Sequence, residues 1–188
     1  MKKKAWVSLV AVVLVLCCAV GGTLAWLTAQ SGEVKNTFSP SDINIKLKET
    51  TGTEYKMIPG YELKKDPKAW VVAGSEDCYL FVKVDNQITA IEADGNTTVA
   101  AQMAAKGWKA VEGKDGIYVY VGTTAAPVAV KANDNVTVFE QLVIAGTVNG
   151  DTLKAYENKT ITVTAYAVQK DGFEGKTADQ IWSTAFGA

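Results

Sequence analysis

Apolar and polar residues alternate along most of this chain, and the alternation has the period of β-strands rather than of helices. Over residues 42–49, Ile43, Ile45 and Leu47 fall on one face and Asn44, Lys46 and Lys48 on the other, which predicts a half-buried strand. Lys68–Ala73 reads as a second strand. Cys78–Val84 reads as a third, with Cys78, Leu80, Val82 and Val84 sharing a face. Trp108–Val111 and Ile117–Val121 flank Glu112-Gly113-Lys114-Asp115-Gly116, the pattern of a hairpin and its loop. Further strands are predicted at Val128–Lys131, Val136–Ile144 and Thr160–Val168. Between Ile58 and Tyr61, Pro59 presets φ and Gly60 supplies the positive φ of a type II turn. Two stretches break the period. Asn96–Lys106 is alanine-rich and stops at Gly107, which predicts a short helix. Thr177-Ala178-Asp179-Gln180 has the form of a capping box and predicts a second, running through Trp182.

Short strands with turn signals between them, and one or two short helices, predict an all-β fold. The expected architecture is an antiparallel β-sandwich, jelly-roll or immunoglobulin-like, in one domain over residues 26–188. Periodicity does not choose between those topologies.

The first 25 residues stand apart. Lys2, Lys3 and Lys4 precede an apolar run from Ala5 to Val20, and Thr23 and Ala25 sit at the −3 and −1 positions of a cut before Trp26. That arrangement predicts a secretory signal peptide over residues 1–25. The alternative is an uncleaved anchor, although the run is shorter than the roughly 20 residues of a full span. The leader holds three of the 19 basic residues and none of the 20 acids, so the mature chain carries a net charge of −4. A mildly acidic chain is a poor nucleic-acid binder by charge. All its basic residues are lysines, so it lacks the guanidinium forks that grip phosphate in two places.

Composition also narrows the chemistry. There is no histidine, which removes His-based triads, HExxH zinc sites and histidine pH switches. No nucleophile elbow and no phosphate-cradling glycine loop is present. No catalytic residue, metal ligand or cofactor is assigned, and the chain is not expected to be an enzyme. Glu76-Asp77, Glu92–Asp94 and Asn133-Asp134-Asn135 are the densest oxygen donors, and each reads first as a turn. Cys78, the only cysteine beyond the leader, is either an intermolecular bridge or a small buried apolar residue. Trp70, Trp108 and Trp182 either stack on sugars or pack a core.

Three stretches have a more specific look. The first runs Gly21-Gly22-Thr23-Leu24-Ala25-Trp26, then Val34-Lys35-Asn36-Thr37-Phe38, then Ile43 to Glu49. The second is Pro59-Gly60 followed by Lys65-Asp66-Pro67, and the third Thr164 to Phe173. Together they resemble the TasA/camelysin family of Gram-positive bacteria, whose leaders are removed by the dedicated signal peptidase SipW. The resemblance covers both ends and is poor over residues 87–158. It implies a jelly-roll protein secreted to the cell surface or biofilm matrix, polymerising with copies of itself and partnered by an accessory matrix protein. It further implies donor-strand complementation, in which the freed N-terminal segment of one subunit completes the sheet of the next. That segment is Trp26–Phe38, about 43 Å long if extended at 3.3 Å per residue, with Val34 and Phe38 as pocket-filling side chains. Residues 26–38 as a free tail, or as an edge strand of their own sheet, are the simpler possibilities. The competing function is a monomeric cell-surface binding module for carbohydrate or a host protein. Some family members are classed as metallopeptidases, but a chain with no histidine and one mature cysteine offers no ligand set for that.

Overall fold

A computed structural model describes residues 42–52 and 56–187. Every strand pairing among them is antiparallel. In chain order the strands are β1 (Ile45–Lys48), β2 (Glu62–Lys64), β3 (Lys68–Val71), β4 (Cys78–Asn86), β5 (Trp108–Ala110), β6 (Ile117–Tyr120), β7 (Ala129–Val130), β8 (Asn135–Thr137), β9 (Gln141–Val143) and β10 (Ile161–Gln169). Three α-helices join them: α1 (Val99–Ala105), α2 (Gly150–Ala155) and α3 (Ala178–Phe186). The strands form a five-stranded curled sheet ordered β10-β4-β6-β5, with β7 pairing the start of β4. A three-stranded sheet, β1-β3-β8, and a two-stranded one, β2-β9, complete the fold.

β4 is the central strand, and its sequence explains the layers. Cys78, Leu80, Val82 and Val84 point into the main core, where they meet Ala69, Val71, Val136 and Trp108. That is the face the alternation predicts. The opposite face is buried as well: Tyr79 and Phe81 pack with Val119, Ile181 and Trp182 beneath α3. Burial on both faces is why Cys78–Val82 is a continuous apolar run. Fully burying one such side chain contributes roughly 1.5–3 kcal/mol.

α3 begins as its sequence predicts. The Thr177 hydroxyl and the Gln180 side chain satisfy each other's backbone N–H groups in a capping box. The helix runs on to Phe186, beyond the expected end at Trp182, because Ile181, Trp182 and Phe186 together cover the sheet. α1 is capped by Thr98, whose hydroxyl accepts from the Ala101 N–H at 3.2 Å. It stops at Gly107, where φ is 84° and a Cβ would lie 2.6 Å from the Gly122 carbonyl oxygen.

The pattern misses three features. The expected single strand Val136–Ile144 is two strands, β8 and β9, in different sheets. The partner explains the break. β8 pairs β3 and β9 pairs β2, and β2 and β3 are themselves separated at Lys65-Asp66-Pro67, where proline has no N–H for a ladder. Val138 N–H instead donates to the Pro67 carbonyl at 2.8 Å, and Lys65 N–H to that of Glu140 at 2.9 Å. β2 and α2 are the others. β2 has three residues and α2 one and a half turns, too short for a period to emerge. The described residues therefore hold three α-helices where one or two were expected.

Candidate functional site

β10 is the longest strand together with β4, and it is hydrogen-bonded along only one edge among the described residues. The register pairs Ile161 with Asn86 through to Gln169 with Cys78, without a bulge. At its two ends the Thr160 carbonyl accepts from the Gln87 N–H and the Lys170 N–H donates to the Asp77 carbonyl. Antiparallel hydrogen-bonded pairs recur every second residue. Thr162, Thr164, Tyr166 and Val168 therefore face β4 with their backbone groups. The N–H and C=O groups of Ile161, Val163, Ala165 and Ala167 face the other way, and no described strand receives them.

The same four residues turn their side chains toward the main core, and all four remain half-buried. Beside them lies β1, which pairs only with β3. Its Leu47 is 39% exposed. β1 and β10 are neighbours without a shared ladder. The groove between them holds about 330 Å³ and is lined by Leu47, Phe139, Ile161 and Val163, with Lys48, Glu49 and Lys65 at its rim.

The rim is held by polar contacts. Lys65 Nζ lies 2.6 Å from Glu49 Oε1. Asp66 accepts from the Thr50 N–H at 2.8 Å, the Thr50 hydroxyl at 2.7 Å and the Thr51 N–H at 3.2 Å. These bonds, those of Thr50 first, hold the Asp66 carboxyl down to about 2. The clasp fixes the chain leaving β1 to the loop entering β3. On the outer face of β1, the Lys48 ammonium sits 3.8 Å from the ring centroid of Trp70.

Other residues singled out by sequence have structural places. Cys78 is fully buried, and its desolvation, with the Asp77 charge second, pushes the thiol up to about 11. It stays protonated at neutral pH, so the buried reading holds and the intermolecular bridge does not. Trp108 and Trp182 are core residues at 3% and 9% exposure, and the Trp108 Nε1–H donates to the Thr137 carbonyl at 2.8 Å. Asn133 lies in a turn at φ 71°, and Asn135 opens β8. Glu92 is buried, and its carboxylate accepts from Asn86 Nδ2 at 2.6 Å and from the Val99 N–H at the start of α1. Sequence reasoning did not foresee that role, and nothing in the local pattern distinguishes Glu92 from a turn acid. Among the described residues no three acidic or thiol side chains converge as a metal site, and no helix is long and apolar enough to cross a membrane. The cleavage residues Thr23, Ala25 and Trp26 and the donor residues Val34 and Phe38 lie outside the described residues.

The fold and groove define a class: an antiparallel β protein with one helix-covered sheet and a long strand that, among the described residues, is paired along one edge only. No protein-family model, curated protein or solved structure matches the chain.

Proposed function

We propose that this chain is a secreted structural subunit of a cell surface or biofilm matrix, and that it assembles with copies of itself by strand donation. In this reading the sandwich is of jelly-roll type, and a dedicated signal peptidase frees the amino terminus by cutting before Trp26. The freed segment Trp26–Phe38 enters the groove between β1 and β10 of a neighbouring subunit, with Val34 and Phe38 supplying the missing apolar contacts. A head-to-tail contact of this kind does not close on itself and gives a filament.

One observation carries the reading. The four residues of β10 whose backbone groups lack a described partner are the same four whose core-facing side chains are half-buried. An added strand would satisfy both deficits at once, by main-chain bonds and by alternate side chains. A long open edge is otherwise an aggregation hazard that β proteins cover or blunt. The alternative, a carbohydrate-binding module, draws no support from Trp108 and Trp182, which are committed to the core, and leaves only the half-buried Trp70, already covered by Lys48.

The test is a proline placed on the open edge. Ala165→Pro removes an N–H that faces away from β4, so the β4 ladder survives while the edge is blocked. The variant is expected to keep its β-type circular dichroism and to sediment as a monomer under conditions where the processed wild type forms filaments. Thr164→Pro is the control for fold damage, because its N–H faces β4. Filaments from folded Ala165→Pro would sink the proposed edge.

A further inference from the structure

A second cleft opens on the outer face of the five-stranded sheet, between the β5–β6 hairpin, the loop 125–127 and the start of α3, and holds about 430 Å³. It is independent of the β10 edge and of the assembly reading. Val119, Val121 and Pro127 give it an apolar lining, and Tyr79 forms part of its floor. Tyr79 is 7% exposed, and its hydroxyl bonds no described residue. No fully buried side-chain nitrogen or oxygen among the described residues lacks a partner, so that hydroxyl keeps some exposure, and Tyr79 lines the cleft. A phenol buried to this degree ordinarily has a hydrogen-bond partner.

Charges of both signs surround the mouth. Lys109, Lys176, Glu112 and Asp179 line it, and none of the four is ion-paired with another. Lys109 donates to the Ala125 carbonyl at 3.3 Å, and the Lys176 ammonium lies 4.9 Å from the Phe173 ring centroid. The first turn of α3 is closed by its capping box and carries Asp179, so the positive charge on this cleft comes from Lys109 and Lys176. The space is at the small end of the range for ligand pockets, roughly 300–1,000 Å³.

We propose that this cleft binds a small zwitterion with an apolar body, a free α-amino acid bearing a branched aliphatic or aromatic side chain. The carboxylate meets Lys109 and Lys176, the ammonium meets Glu112 and Asp179, and the side chain packs against Val121 and Pro127. The Tyr79 hydroxyl supplies a hydrogen bond at the floor.

The experiment is an NMR titration of the processed protein with L-leucine and L-phenylalanine, beside N-acetyl-L-phenylalanine and L-phenylalanine amide. Saturable shifts are expected at residues 125–127 and 175–179 for the free amino acids, and about tenfold weaker binding for each capped form. Tyr79→Phe is expected to weaken binding about fivefold, the loss of one neutral hydrogen bond. Ala126→Trp fills the cleft from an exposed loop position and is expected to abolish binding without touching the core. No saturable shift, equal binding of the capped forms, or undiminished binding to folded Ala126→Trp would each overturn the assignment.

Discussion

Single atoms decide several positions in this molecule. Gly107 combines a left-handed φ with a Gly122 carbonyl where its Cβ would stand. Gly107→Ala therefore meets both backbone strain and a backbone clash, and is expected to cost about 2 kcal/mol or more, read as a lowered urea midpoint. Asp66 acts through charge. Its folded pKa of about 2 lies below the ordinary 3.8, so the ionised form is the one the fold stabilises. Its contribution is complete above the unfolded value and is lost as pH falls through the folded value, a window from about 4 to about 2. The stability difference between wild type and Asp66→Asn is thus expected to be present near pH 6 and to vanish below about pH 2. A difference that persists unchanged at low pH would show that the clasp does not depend on the carboxylate.

At the scale of elements, α3 is more than a C-terminal flourish. Trp182 packs against Phe81 at 5.5 Å, Tyr166 at 5.1 Å and Phe186 at 4.8 Å between ring centroids, joining the helix to both β4 and β10. Trp182→Ala is expected to cost about 3–5 kcal/mol in chemical denaturation. A loss under about 1 kcal/mol would mean the helix contributes little to the fold. The elements also show what a sequence can and cannot say. The inward face of β4 and the α3 capping box follow from spacing alone, since period two and the Thr-x-x-Gln offset are local properties. The outward burial of Tyr79 and Phe81 is not local. It depends on a helix about a hundred residues later, and only the continuity of the apolar run hints at it. The split between β8 and β9 is likewise imposed by a partner, through Pro67. The β10 edge left without a described partner is legible only in part. The alternation in Thr160–Val168 predicts a strand, but which of its edges goes unpaired is set by topology.

For the molecule as a whole, the sheets among the described residues leave one edge of β10 without a partner strand. The main core is closed by β3, β8, β2 and β9, while along β10 it ends in half-buried Ile161, Val163, Ala165 and Ala167 beside an exposed Leu47. In the proposed function, Trp26–Phe38 of a neighbouring copy takes that place, and the proposed leader withholds it until export is complete. Strand addition through a full-length edge predicts assembly that resists salt, because main-chain bonds and apolar contacts dominate it rather than surface charge. The most direct measurement is electron microscopy of the processed protein beside the same protein lacking Trp26–Phe38, in low and high salt. Filaments from the first at both salt concentrations, and only folded monomers from the second, are the predicted result. Filaments from both, or a processed protein that never associates, would contradict the account.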